Sequence, residues 1–218
     1  KQVLAEGRRA LGNVAAVTAG VSTFVPKPHT PFQWVPVESV AIIREKQDLL
    51  KREMRGRGLK LNWNNPDETH MEARLSRGDR RMGQVIYEAW RRGAKFDAWG
   101  EHFRFEVWLE AFSAAGLDPH FYTRRERAID ETLPWDHIDA AVGKKFLTQD
   151  YLWSLQGRTR VDCRERCFAC GILPKFIELR RQNPGPVWEC PEVKPKSERG
   201  GHRPPLPEVQ MVPLAVVA

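Results

Sequence analysis

The chain has 218 residues, with 35 Lys and Arg against 28 Asp and Glu, which gives a formal net charge of +7. Hydrophobic residues make up 41% of the sequence and charged residues 29%, an ordinary globular composition that excludes a wholly disordered chain. No apolar run reaches the roughly 20 residues that a membrane-spanning helix needs, and the stretch 14–25 lacks the continuous apolar core of a signal peptide. We therefore expect a cytoplasmic protein without membrane association.

The first 35 residues predict the end of an α/β structure. Residues 3–11 have the pattern of an amphipathic helix closed by Gly12, and an apolar, strand-like stretch follows from Val14 to Val25. Three prolines within six residues then enforce an extended loop. A helix followed by a strand that is buried on both faces is typical of a parallel α/β unit, so residues 1–35 are expected to continue a larger structure of which this chain is a fragment.

Residues 36–160 predict a mainly helical domain. Caps, prolines and glycines bound the predicted helices, which cover residues 38–57, 66–77, 80–92 (capped by Asp79), 105–115 and 142–155, with a half-buried strand at 59–63 and a helical turn after Asp118. Most aromatic residues fall at helical core spacing. We expect Met82, Val85, Ile86 and Trp90 to pack against the helix 105–115 and to form the main core.

Cysteine spacing indicates a metal site. Cys163, Cys167 and Cys170 have the spacing C-x3-C-x2-C, which lets three thiolates converge on one centre from a single loop, and Cys190 is a candidate fourth ligand. Four thiolates suit zinc and an iron–sulfur cluster equally, and reduced thiols without a metal are the alternative. Residues 161–190 therefore predict a cysteine-rich knuckle, and the Pro-rich residues 191–218 predict a linker or disordered tail.

Five separate motifs resemble one protein family. They are Val21–Trp34, Leu59–Asn64, Leu75–Arg81, Gly93–Trp99 and Leu133–Asp139. Together they resemble the carboxy-terminal region of one branch of the cobalamin-binding radical S-adenosylmethionine (SAM) proteins, over roughly residues 1–171. The resemblance implies an α/β remnant, the last helix and strand of a partial TIM-like radical SAM barrel in residues 1–35, followed by a mostly α-helical domain.

The same resemblance implies cofactors for the intact protein. The resemblance implies that an amino-terminal part of the polypeptide is missing and that this part is the expected partner of the present chain. The missing part would carry cobalamin, SAM and the iron–sulfur cluster that cleaves SAM. The cluster motif of that family has the spacing of Cys163–Cys170 but follows the first barrel strand, and no barrel fits after Cys170. Any iron–sulfur cluster or zinc bound by this chain is therefore expected to be an accessory site.

Two functions from different classes follow. The leading hypothesis is the carboxy-terminal part of a cobalamin-binding radical SAM enzyme, inactive alone, with an unknown substrate. The alternative is a basic zinc-knuckle module that binds RNA, a ribosome-associated substrate or a protein partner, because arginines cluster at 77–81, 91–92 and 124–127, although acidic residues lie among them. A helical scaffold without metal is the third possibility.

Two weaker candidates for chemistry lie in loops. The resemblance would place His29 near the barrel mouth, where it would contact substrate, and the alternative is a structural loop residue. Asp136 and Asp139 flank His137, an arrangement that suits a carboxylate-tuned base, although a turn with a helix-capping aspartate is commoner.

Overall fold

The structure, a computed structural model, describes residues 1–191. The chain divides into two units, Lys1–Thr159 and Arg160–Ala218, and each is described by itself. The elements of the first unit are α1 (Gln2–Leu11), β1 (Val17–Val21), α2 (Val40–Glu53), β2 (Leu59–Trp63), α3 (Pro66–Arg77), α4 (Met82–Arg91), α5 (Phe105–Ala114), α6 (Pro119–Thr123) and α7 (Lys144–Ser154). The described part of the second unit contains α8 (Ile172–Lys175) and α9 (Ile177–Gln182). Within residues 1–191, no helix is long and apolar enough to cross a membrane.

The prediction of a barrel remnant in residues 1–35 is wrong. Strand β1 pairs in parallel with β2, with Val17 opposite Leu59 and Val21 opposite Trp63, and the sheet in residues 1–191 has these two strands alone. Strand β1 is five residues long and alternates between half-buried and exposed positions. The apolar stretch from Val14 misled the prediction, because Val14 ends a 3-10 turn and is 85% exposed. The described residues are instead mostly helical.

Local cap chemistry places several helices where the sequence predicts them. Asn65 caps α3, accepting a hydrogen bond from the backbone N–H of Asp67 at 3.0 Å, and Pro66 occupies the first turn. Asp118 caps α6 in the same way through the N–H of His120 at 2.8 Å. These two predicted helix starts are confirmed.

The larger core of the first unit lies between α3, α4 and α5. Its buried members are Met71, Met82, Val85, Ala89, Ala94, Trp108, Ala111, Phe112 and Tyr122. Helix α4 therefore packs on α5 as predicted, but the predicted core positions Ile86 and Trp90 are wrong, since they are 48% and 57% exposed. At 100° per residue they lie on the face that adjoins the buried stripe, so the apolar arc of α4 is wider than the contact it makes.

A second core joins the loop after β1 to the end of the unit. It contains Trp34, Leu133, Trp135, Leu147 and Tyr151. Buried Gln33 accepts a hydrogen bond from the indole N–H of Trp135 at 2.7 Å, which joins segments 102 residues apart. The Pro-rich loop is thus held by tertiary contacts rather than by neighbouring strands.

Candidate metal centre

The second unit begins with a turn built around Asp162. The carboxylate of Asp162 accepts the backbone N–H of Arg164 at 2.8 Å and two guanidinium N–H groups of Arg164 at 2.9 Å each. These hydrogen bonds and the positive charge of Arg164 lower the pKa of Asp162 to about 2. The backbone N–H of Glu165 closes the turn on the Asp162 carbonyl at 2.9 Å. This turn fixes the direction in which the chain leaves Cys163.

The segment from Cys167 to Gly171 folds into a tight reversal. The backbone N–H of Ala169 donates to the sulfur of Cys167 at 3.4 Å. Ala169 has φ 55° and Gly171 has φ 110°, so two residues here adopt left-handed backbone geometry, and Ala169 does so without the freedom of glycine. An amide that donates to a cysteine sulfur stabilises the thiolate, the form that binds metals.

Cys190 lies beside the other cysteines. Its thiol pKa is raised, first by reduced contact with water and then by the neighbouring thiols of Cys167, Cys170 and Cys163, with a hydrogen bond to Cys167. A thiolate at Cys190 is disfavoured when other thiolates are close and no cation neutralises them.

The four cysteines are near one another, but their side chains are not yet arranged as ligands. All four are free thiols, with Cys167 and Cys170 partly buried and Cys163 and Cys190 exposed. Among the side chains of residues 1–191, no three from His, Cys, Asp and Glu form a group that would hold a metal ion as they stand. A bound ion would have to draw the sulfurs together from their present positions.

The described part of the second unit has no hydrophobic core. Not one residue from 160 to 191 is buried. Its apolar side chains are partly or largely in solvent, as with Phe176 at 39%, Leu179 at 44% and Val187 at 83%. An open depression of about 500 Å³ beside Cys190 has Leu173, Arg180 and Trp188 among its lining residues. A segment this short and this poorly buried needs a covalent or metal crosslink to hold one conformation.

The weaker loop candidates have structural roles in the first unit. His29 lies in a turn at φ 57°, and its backbone N–H donates to the side-chain oxygen of Gln33 at 3.2 Å. The carboxylate of Asp136 accepts the N–H of Leu133 at 2.9 Å and the ammonium of Lys144 at 2.6 Å, while His137 is exposed. The structure therefore does not form a carboxylate–histidine pair from Asp136 and His137.

Sequence inspection missed the burial of three arginines. Arg74, Arg77 and Arg127 are 2%, 0% and 2% exposed, although their sequence neighbourhoods resemble surface clusters. Burial, and for Arg77 the nearby cation of Arg127, lowers the pKa of each to about 10. Arg77 and Arg127 bond to backbone carbonyls, which explains their burial without carboxylate partners.

Comparisons with known proteins identify no family. A scan against protein-family models gave no match, and searches of curated proteins and of solved structures gave none either.

Proposed function

We propose that the second unit is a metal-binding module in which Cys163, Cys167, Cys170 and Cys190 hold one zinc ion. The absence of any buried side chain between residues 160 and 191 carries this proposal. Burial cannot stabilise this segment, whereas a structural zinc site contributes folding free energy directly. The Ala169 N–H bond to the Cys167 sulfur supports the proposal, because it prepares that sulfur as a thiolate.

Cys190 lies near the other three cysteines, as a site for a single ion requires. Zn–S bonds of about 2.3 Å in a tetrahedral site place ligand sulfurs about 3.8 Å apart. In a four-iron cluster, each cysteine binds a different iron, so its sulfurs lie further apart. Free thiols also suit a reducing compartment such as the cytoplasm, where zinc sites replace disulfides.

Elemental analysis of the purified chain tests this proposal. We expect one equivalent of zinc, lost in Cys167→Ser and in Cys190→Ser. Asp162→Asn is the matched control, because it weakens the neighbouring turn without removing a sulfur, and it should retain the metal. A chelator should make Arg166 and Arg180 readily cleaved by trypsin while the first unit stays protected. A chain that purifies without metal and takes up neither zinc nor iron when reconstituted anaerobically would contradict the proposal.

A second proposal concerns the polypeptide as a whole. By resemblance, the chain is the carboxy-terminal part of a cobalamin-binding radical SAM enzyme, in which the cysteine module is an accessory site. One observation favours this: three of the resembling motifs contact one another in the first unit. Arg77 donates to the carbonyls of Pro26 and Val35, and Trp135 donates to Gln33. Motifs far apart in the sequence thus form one structural neighbourhood.

The encoding DNA tests the second proposal directly. An open reading frame upstream of Lys1 should encode a C-x3-C-x2-C motif, and the longer polypeptide, reduced anaerobically, should cleave SAM to 5′-deoxyadenosine. The 218-residue chain alone should not. A longer polypeptide that lacks the motif, or that carries it and leaves SAM intact, would contradict the proposal of a radical SAM enzyme. The proposal of a zinc module would be unaffected by that result. Stoichiometric iron in place of zinc would favour an accessory cluster instead.

A further inference from the structure

Two buried cations lie at the end of α3. Arg77, the last residue of that helix, is 0% exposed, and Arg127, in the loop after α6, is 2% exposed. The Nη2 group of Arg127 donates to the backbone carbonyl of Arg77 at 3.3 Å, so its charge lies against the end of the helix. Burial and then the charge of Arg127 lower the pKa of Arg77. We call these two residues the buried arginine pair.

Hydrogen bonds to backbone carbonyls leave part of each guanidinium unpaired. The two terminal nitrogens of Arg77 donate to the carbonyls of Pro26 and Val35. The Nη2 group of Arg127 donates to the carbonyls of Arg77 and Tyr122. Three buried nitrogens have no hydrogen-bond partner within residues 1–191: Nε of Arg77, and Nε and Nη1 of Arg127. Because a guanidinium has donors and no acceptor, only a hydrogen-bond acceptor can satisfy these positions.

Carboxylates close in sequence do not neutralise the buried arginine pair. Glu131 accepts two hydrogen bonds from the guanidinium of Arg125, at 2.5 and 2.8 Å. Burial lowers the pKa of Arg127, and the charge of Arg125 lowers it further and outweighs the attraction of Glu131. Asp79 pairs with Arg81 at 2.6 Å. Two more carboxylates are exposed to solvent: Glu126 and Asp130. The pair therefore remains as two uncompensated positive charges in the interior.

Arg74 is a buried arginine of the same unit whose charge is compensated. It is 2% exposed, and its Nε and Nη1 also lack hydrogen-bond partners within residues 1–191. Burial lowers its pKa, but the carboxylates of Asp67 and Asp118 both oppose that shift. The buried arginine pair differs in its charge, since two cations repel each other in an interior where an unpaired charge is costly.

We propose that the buried arginine pair holds one monatomic anion of the size of chloride inside the first unit. The anion would accept hydrogen bonds from the unpaired nitrogens and supply the negative charge that the neighbouring carboxylates give to other arginines. Both side chains are enclosed by protein, which excludes an anionic group that is attached to a larger substrate. The proposal is independent of the zinc module, because Arg77 and Arg127 belong to the first unit.

Urea denaturation at constant ionic strength tests the proposal, with chloride replaced stepwise by gluconate. Gluconate is too large to be enclosed between two side chains, and constant ionic strength keeps charge screening the same. We expect the urea midpoint to rise with chloride concentration, because an ion that binds only the folded protein stabilises it. Arg127→Met should remove most of this rise, since it takes away one of the two cations. Arg74→Met is the matched control and should retain the rise.

Anomalous diffraction from crystals of the unaltered chain grown in bromide locates the ion without a mutation. We expect a bromide peak in contact with unpaired nitrogens of Arg77 and Arg127, and this measurement decides if Arg127→Met does not fold. The proposal is overturned if the urea midpoint is the same in chloride and gluconate, or if Arg127→Met and Arg74→Met respond equally to chloride. It is also overturned if bromide is absent from the buried arginine pair. A midpoint that rises with phosphate but not with chloride overturns it too, because a polyatomic anion would then be the ligand.

Discussion

The guanidinium of Arg77 donates a hydrogen bond to the carbonyl of Pro26 across 2.7 Å, from the last residue of α3 to a loop 51 residues earlier. A second N–H of the same group reaches the carbonyl of Val35 at 2.9 Å. One fully buried cation thus holds both ends of the Pro-rich loop, and no carboxylate within residues 1–191 pairs with it.

Replacing Arg77 distinguishes its hydrogen bonds from its charge. Arg77→Lys keeps a buried cation but loses the forked geometry, and we expect it to lower the free energy of unfolding by about 1.5–3 kcal/mol. Arg77→Met removes the buried charge along with the hydrogen bonds, so its cost should be no larger than that of lysine. Urea denaturation measures both variants. A lysine variant as stable as the unaltered chain would show that the second hydrogen bond is unimportant.

Two aromatic residues on neighbouring helices should differ sharply when truncated. Phe112 on α5 is 1% exposed within the larger core, so Phe112→Ala should lower the free energy of unfolding by about 3–5 kcal/mol. Trp90→Ala on α4 should change it by less than about 1 kcal/mol, because its ring is mostly in solvent. Equal losses in urea denaturation would mean that Trp90 is buried in the folded protein.

The buried amide of Gln33 should couple two parts of the first unit. Its oxygen accepts from the Trp135 indole and from the backbone N–H of His29, and Gln33 is 1% exposed. Gln33→Met leaves both donors unpaired and should cost about 2–4 kcal/mol. A double-mutant cycle with Trp135→Phe should give a coupling free energy of about 0.5–3 kcal/mol. Additive losses would show that the indole hydrogen bond contributes nothing.

His70 should make the first unit sensitive to mild acid. Its Nε2–H donates to the carbonyl of Glu38 at 2.8 Å, and burial lowers its pKa below the ordinary 6.5. Below about pH 6.5, the unfolded chain binds a proton that the folded protein excludes, so the free energy of unfolding falls with pH through this window. His70→Gln, which retains an N–H donor, should flatten the dependence between about pH 7.5 and 5.5. If the free energy of unfolding of His70→Gln depended on pH as steeply as that of the unaltered chain, other groups would be responsible for the pH dependence.

Helix starts were predictable where one or two residues determine the local backbone conformation. Asn65 and Pro66 begin α3 because a side-chain acceptor and a fixed φ act within one turn. The exposure of Trp90 was not predictable, since periodicity identifies an apolar face but not which part of it a neighbour covers. The prediction of a barrel strand was wrong for a similar reason: the apolar run from Val14 to Val25 carries no information about the strand's partner, which is β2.

The candidate metal site was also predictable only in part. Spacing was sufficient to nominate the four cysteines, because three of them lie in one loop. The position of Cys190 near the other cysteines and the lack of burial around them depend on how residues 171–189 fold, which spacing does not determine. Likewise, Arg77 and Arg127 belong to charged sequence clusters, and only tertiary contacts with carbonyls bury them.

X-ray absorption at the metal edge of the purified chain tests the central claim, that four thiolates hold one zinc ion. The account predicts zinc with four sulfur neighbours at about 2.3 Å and no heavier scatterer nearby. In Cys190→Ser, any zinc retained should have three sulfur neighbours and one oxygen or nitrogen. A spectrum with only oxygen and nitrogen neighbours, or with iron–iron scattering, would contradict a single zinc ion bound by the four cysteines.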